Sequence, residues 1–437
     1  MTEFDSIREG DINRAVLVGL NARRQSIKEQ VTEATMAELE ALLETAGGTC
    51  VGTMIQNREA PDPGSFIGEG KAQELKESVQ ALGADLVIFD NALSPSQVRV
   101  LTELVGVQVM DRAGLILDIF AKRAQTKEGR LQVELAQYKY ILPRLTGMWG
   151  HLVRQTASGG KSPIGTRGPG ETQLESDRRH IRRKIQKLEE DLEQVRRVRS
   201  VQRERRERNE VPVVAIVGYT NAGKSSLLNQ LTGAGIPAND RLFDTLDTTT
   251  RTLEISDTLT VLLSDTVGFI HKLPHHLVEA FKATLEELTY ADLLLHVIDL
   301  SREDWQEQAK VVDDLIRELG AEQTPCIRVY NKCDLVTGEV LPHGADDVAI
   351  SAKTGEGTKE LIAAIAQRLD TGLRRVELRI PYDQGGVLDR LYREAGVEQV
   401  DYGETIQVIA RCSPRVLGKV RDYVWPPMEE TKEPWEM

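Results

Sequence analysis

Gly218-Tyr219-Thr220-Asn221-Ala222-Gly223-Lys224-Ser225 reads G-x-x-x-x-G-K-[ST]. The five residues before it, 213–217, are Val-Val-Ala-Ile-Val, an apolar run of strand length. Residues 226–231 continue as a helix. Strand, glycine-rich turn and helix in that order make the string a phosphate cradle. Loop amides and the helix N-terminus face the phosphates. Lys224 reaches the β and γ oxygens, and the Ser225 hydroxyl suits Mg²⁺. By itself the string fits any P-loop nucleotide hydrolase.

Three further strings narrow the choice. Asp265-Thr266-Val267-Gly268 ends an apolar strand over 260–264. Its aspartate can hold Mg²⁺ through water, and the Gly268 amide can meet a γ-phosphate. Asn331-Lys332-Cys333-Asp334 ends a strand over 326–330. The Asp334 carboxylate accepts two hydrogen bonds from guanine N1–H and the exocyclic amine, a donor pair that adenine lacks. Ser351-Ala352-Lys353 follows a strand over 347–350 and offers a backbone amide to guanine O6. Four motifs at strand ends, in one order, define a GTP-binding domain that resembles the Ras-like, translation-factor class of GTPases. In that frame Lys224, Asp265, Gly268 and one switch threonine do the catalytic work. Phe243-Asp244-Thr245-Leu246-Asp247 resembles the first switch of related bacterial GTPases, where a Phe-x-Thr-Leu pattern places this threonine. Thr245 is therefore expected to join Ser225 on the metal, with Thr249 as the alternative. After Gly268 comes Phe269, where Ras-like proteins usually carry a glutamine that orients the attacking water. Phenylalanine cannot do so. Either it packs against the switch and hydrolysis is slow, or a partner reorganises the site, and both can hold.

The rest of the chain is organised around this unit. Residues 1–121 alternate strands (15–20, 49–55, 85–89, 107–110) with helices (35–46, 72–82, and one opened by Ser94-Pro95), a small α/β domain with a mainly parallel sheet. Its Gly68-Glu69-Gly70-Lys71 string lacks the full phosphate-loop pattern and reads as a turn or an RNA contact, with a second nucleotide site as the alternative. Residues 122–209 carry two helical seams, Leu131, Leu135, Tyr138, Leu142, Leu145 and Ile181, Ile185, Leu188, Leu192, Val195, an antiparallel hairpin with coiled-coil packing. Pro143 ends or kinks the first arm near Leu142. The joining loop, 146–174, is rich in glycine and carries Arg154, Lys161 and Arg167. A loop that long without structure of its own points to function. The GTP-binding domain spans 211–372, and 373–437 forms a small α+β unit with an acidic tail.

Charge sets bounds on partners. The chain of 437 residues has a net charge of −13, yet 122–208 holds 22 Lys/Arg against 11 Asp/Glu, net +11, which leaves −24 for the rest. A basic element on an acidic body is a nucleic-acid footprint, or else a solvated, salt-bridged helix. With 28% charged and 40% hydrophobic residues the chain is neither a polyelectrolyte nor a membrane protein, since no apolar stretch nears the roughly 20 residues a bilayer requires. Residues 1–10 lack the pattern of a secretory signal. Cys50, Cys326, Cys333 and Cys412 are scattered, which fits a reducing compartment better than disulfides or structural zinc.

With these residues in hand, nearly the whole chain is similar to the HflX family of bacterial GTPases. Outside the nucleotide motifs the most specific strings are Gly165-Thr166-Arg167-Gly168-Pro169-Gly170-Glu171-Thr172-Gln173-Leu174-Glu175 and Phe66-Ile67-Gly68-Glu69-Gly70-Lys71. Thr248 departs from the proline expected in the switch. The resemblance implies a cytoplasmic GTPase that binds the large ribosomal subunit and serves in ribosome splitting, rescue or subunit biogenesis. It turns the basic loop toward ribosomal RNA, because glycines allow close backbone approach and Arg and Lys meet phosphates. DNA contact is not expected, and the chain should be a monomer off the ribosome. The competing reading is a regulatory RNA-binding protein in which GTP sets conformation and turnover is incidental. A metabolic or tRNA-modifying enzyme is disfavoured, because no further nucleophile, metal cluster or cofactor motif stands outside the GTP-binding domain.

Overall fold

The computed structural model describes residues 13–23, 30–145, 169–208, 211–235, 242–243, 249–256, 259–272, 288–336, 344, 346–369, 374–412 and 414–426. The first sheet is built from β1 (Arg14–Ala22), β2 (Thr49–Arg58), β3 (Leu86–Phe89) and β4 (Gln108–Asp111), all parallel, in the order β2-β1-β3-β4. Between them run α1 (Glu33–Ala46), α2 (Glu69–Leu82) and α3 (Pro95–Val105). Helices on both faces explain why β1 is apolar throughout and does not alternate. Val16, Val18 and Leu20 pack toward Leu75, Val79 and Phe89, while Ala15 and Leu17 pack toward Leu39, Leu42 and Ile88. Gly68 is the N-cap of α2, and Gly70 lies in its first turn. Ser94 and Pro95 do what their order suggests: Ser94 Oγ accepts from the Gln97 amide at 3.2 Å, and Gln97 Oε1 accepts from the Ser94 amide at 2.9 Å.

One helix had no advance signal. α4 (Arg112–Arg123) starts at the end of β4, where Asp111 Oδ1 accepts from the Gly114 amide at 3.0 Å. It is buried nearly all round, so Leu115, Ile116, Leu117, Ile119 and Phe120 make a continuous run with no helical stripe. The helix runs on past residue 121. α5 (Lys127–Ile141) and α6 (Pro169–Arg208) form the hairpin, closed by Leu135, Tyr138 and Leu145 against Ile181, Leu188 and Leu192. α5 ends with Leu142 as C-cap, directly before Pro143. Lys184 Nζ donates to the Tyr138 hydroxyl at 2.8 Å across the seam. Arg154, Lys161 and Arg167 lie outside the described residues.

The nucleotide motifs sit on the largest of the described sheets. β5 (Val213–Gly218), β6 (Thr249–Ser256), β7 (Leu259–Asp265), β8 (Leu293–Asp299), β9 (Cys326–Asn331) and β10 (Asp347–Ala349) are ordered β10-β9-β8-β5-β7-β6. Only β6 is antiparallel to its neighbour. α7 (Lys224–Thr232), α8 (Trp305–Glu318) and α9 (Thr358–Arg368) connect and cover it. The carboxyl ends of β5, β7, β9 and β10 therefore share one edge, where α/β sheets bind ligands. β11 (Arg374–Ile380), α10 (Gly385–Glu394), β12 (Gly396–Tyr402), β13 (Ile406–Cys412), α11 (Pro414–Val420) and β14 (Val424–Trp425) complete the chain as an antiparallel sheet in the order β12-β13-β11-β14. Here alternation is clear: Ile406, Val408, Ala410 and Cys412 are buried and the residues between them are not.

The capping box at Ser94 gives a direct check. Ser94→Ala should destabilise α3 by about 1 kcal/mol. Hydrogen exchange should show its first-turn amides opening several-fold more often, with the sheet beyond unaffected.

Candidate functional site

Phosphate-loop geometry follows from two glycines. A Cβ on Gly218 would collide with the Val297 carbonyl of β8, and one on Gly223 would collide with the Asn331 side chain. Gly223 also sits at φ +95° and caps α7, so the turn into that helix requires glycine. Asn221 takes the left-handed conformation at φ 62° and is exposed, whereas Thr220 and Ala222 are buried. Lys224 lies at the start of α7, only 6% exposed, with Nζ donating to the Tyr219 carbonyl at 2.8 Å. Burial pulls its pKa down to about 8, partly offset by Asp265. Ser225 Oγ donates to Asp265 Oδ2 at 2.7 Å, which brings two hard oxygen donors from different motifs together.

The second motif is tied to the first by backbone bonds. Thr220 N donates to the Phe269 carbonyl at 2.7 Å, and Phe269 N to the Gly218 carbonyl at 3.1 Å. Phe269 itself is fully buried in the core of this unit. Thr266 Oγ1 donates to the Ile216 carbonyl at 2.7 Å, and Val267 is buried beside it. Gly268 lies so close to Thr220 and Lys224 that a Cβ there would stand 2.8 Å from the former and 2.9 Å from the Lys224 Nζ. In the first switch, Phe243 is 2% exposed, at φ 56°, and meets Phe120 of α4 edge-on with ring centroids 4.7 Å apart. Asp244, Thr245, Leu246 and Asp247 lie outside the described residues. Thr249, the alternative metal ligand, begins β6 directly opposite Asp265.

The segments after β9 and β10 meet the phosphate loop through Asn331. Its Nδ2 donates to the Ala222 carbonyl at 2.8 Å, and its Oδ1 accepts from the Ala352 amide at 2.9 Å. Lys332 turns away at φ 63° and reaches Asp299 Oδ2 at 2.7 Å. Asp299 was missed in the sequence, where it reads only as the last residue of an apolar strand. Cys333 and Asp334 form a short 3₁₀ turn with Asp334 exposed at its surface. Ser351 is fully buried in a tight turn, its amide donating to Glu356 and its carbonyl accepting from Gly355, and Lys353 is exposed.

Relatives of the whole chain fix what this arrangement belongs to. A GTPase HflX from Caldanaerobacter subterraneus is 48% identical over 416 residues, 95% of this chain and 94% of that one. A GTPase HflX from Escherichia coli is 45% identical over 402 residues, 91% and 92% of the two chains. The chain belongs to the HflX family of GTPases. It is a P-loop enzyme that binds and hydrolyses GTP. Family models agree along its length: a GTP-binding GTPase N-terminal region matches residues 33–121, a GTP-binding GTPase middle region 123–206, and a 50S ribosome-binding GTPase 213–332. Among solved structures, a GTP-binding protein from Sulfolobus solfataricus in complex with GDP is 26% identical, covering 82% of this chain and 98% of that one, with a TM-score of 0.42. Among the described residues, no helix is long and apolar enough to cross a membrane.

The depressed Lys224 pKa has a measurable consequence. A phosphate beside the ammonium raises its pKa, so binding takes up a proton at any pH between the free value, about 8, and the bound value. Calorimetric titration of GDP in buffers of different ionisation enthalpy should show uptake of roughly three-quarters of a proton near pH 8.5, declining as pH falls below 8. Affinity should fall as pH rises through 8.

Proposed function

We propose that this HflX-family GTPase works on the large ribosomal subunit, in ribosome splitting, rescue or subunit biogenesis, and converts GTP to GDP and phosphate in the cytoplasm. The observation that carries the reading is the union, in one chain, of a guanine-nucleotide site and a 40-residue helical arm that forms one side of a basic hairpin. On this reading the units divide at 1–121, 122–209, 211–372 and 373–437, and the glycine-rich loop with Arg154, Lys161 and Arg167 contacts ribosomal RNA.

Each motif has its role in this proposal. The phosphate loop, residues 218–225, cradles the phosphates, with Lys224 on the β and γ oxygens. Ser225 and the switch threonine, Thr245, hold Mg²⁺, with Asp265 behind them; hydroxyl and carboxylate oxygens at a triphosphate are the donor set that a small hard cation takes. Bound there, Mg²⁺ would neutralise charge on the β and γ phosphates. Gly268 offers its amide to the γ-phosphate. Asp334 reads the guanine N1–H and amine, Asn331 braces the loop, and the turn at Ser351, Ala352 and Lys353 closes over the base.

Asp334→Asn should move preference from guanine toward xanthine nucleotides by tenfold or more, a hydrogen bond to a charged group being worth about 1.5–3 kcal/mol. Competition binding reads this directly, and unchanged preference would remove the basis for guanine specificity. The ribosomal reading is tested by sedimentation of the full chain with purified large subunits over a salt series. A GTP analogue should promote co-sedimentation more than GDP. Replacing Arg154, Lys161 and Arg167 by alanine should flatten the salt dependence by roughly 0.7–0.9 per lost phosphate contact. GTP affinity should stay near wild type. An unchanged slope would show that the loop is not the RNA contact.

A further inference from the structure

Behind the phosphate loop, five side chains from the two parallel α/β units close into one buried ring. Tyr219 donates its hydroxyl to Glu38 of α1 and accepts from the His271 backbone amide at 2.8 Å. Glu38 pairs with Arg112, the first residue of α4. Arg112 Nη1 donates to Asp90 Oδ1 at 2.7 Å, just past the end of β3. The other Asp90 oxygen pairs with Lys272, which is bonded to His271 and so returns the circuit to Tyr219. Arg112, Asp90 and Tyr219 are 2%, 1% and 5% exposed. Burial beside Glu38 keeps the Tyr219 hydroxyl protonated, and therefore a donor. Two carboxylates and two cations balance, so the ring tolerates burial intact, whereas a broken ring strands a charge.

The position of the ring gives it a consequence. Lys272 comes four residues after Gly268, and the intervening Phe269 is bonded to the phosphate loop on both its backbone groups. The segment is thus pinned near Gly268 by the phosphate loop and at Lys272 by the N-terminal sheet. Gly268 directly precedes the first of these points and lies against Lys224.

We propose that Tyr219 is a positioning residue: through Glu38, Arg112, Asp90 and Lys272 it holds Gly268 in the closed place where its amide meets a γ-phosphate. Discrimination of GTP from GDP then depends on side chains of the N-terminal domain. By reciprocity, a γ-phosphate strengthens the docking of that domain on the GTPase unit. This inference rests on the nucleotide site proposed above.

The test is equilibrium titration of the full chain with fluorescent GDP and with a fluorescent non-hydrolysable GTP analogue. Lys272→Met, Glu38→Gln, which weakens the acceptor of the Tyr219 hydroxyl, and their double variant are compared with wild type. Each single variant should keep GDP affinity within about twofold and weaken the analogue by about 3- to 10-fold, within the usual range of coupling between sites. The double variant should be no worse than the weaker single, because both changes open one ring. Glu38→Gln keeps the side-chain shape and decides the matter if Lys272→Met fails to fold. An unchanged ratio, a parallel loss of both nucleotides, a gain for the analogue, or multiplied losses in the double variant would each overturn the ring's role. Wild-type chain that binds neither nucleotide would overturn the site itself, and the ring with it.

Discussion

Asn331 is the point at which the nucleotide site becomes a single object. It is 2% exposed and spends both ends of its amide on other motifs, the Ala222 carbonyl on one side and the Ala352 amide on the other. Gly223 is glycine because the Asn331 side chain fills the space a Cβ would need. Each of these buried groups, left without its partner, would cost about 1–3 kcal/mol. The phosphate loop and the turn at Ala352 are therefore tied together through Asn331. Lys332 follows in the left-handed conformation, which sends its side chain to Asp299 and brings Asp334 to the surface.

Phe269 shows how packing constrains chemistry at the same site. A side chain buried this completely contributes about 1.5–3 kcal/mol by leaving water, and its backbone extends the sheet onto the phosphate loop. The segment after Gly268 is thereby well fixed, but it brings no polar side chain from that position to an attacking water. Phe243 repeats the pattern in the first switch, where its ring packs on Phe120 of α4. Phe243 and Phe269 are thus each held by apolar packing, Phe243 against Phe120 of the N-terminal domain. A GTPase built this way fits slow turnover alone and acceleration by a partner that shifts the switches.

What was legible in the sequence is what is local. The phosphate loop, the strand-end motifs, the Ser94-Pro95 cap, the Pro143 stop and the 4-3 seams each lie within a few residues, and each forms as its pattern dictates, except that Val195 falls outside the packed seam. The C-terminal unit was legible as a small α+β element, whereas its antiparallel strand order, β12-β13-β11-β14, comes only from the fold. α4 was missed because a helix buried all round has no stripe. The ring of Tyr219, Glu38, Arg112, Asp90 and Lys272 was missed for a different reason. Its partners stand up to 182 positions apart, and a lone charged residue in a loop looks the same whether solvated or paired in a core. Asp299 belongs to the same class: its role depends on where Lys332 is sent.

The most direct test of the account is single-turnover hydrolysis of prebound GTP against rising concentrations of purified large subunit. Ras-like domains hydrolyse alone at roughly 10⁻⁴–10⁻² s⁻¹, and a supplied catalytic element adds about 10³–10⁵-fold. The free chain should hydrolyse GTP near that lower range, with a saturable rise of this order as subunit is added. A rate that stays flat at saturating subunit, or one that is already fast without it, would contradict it.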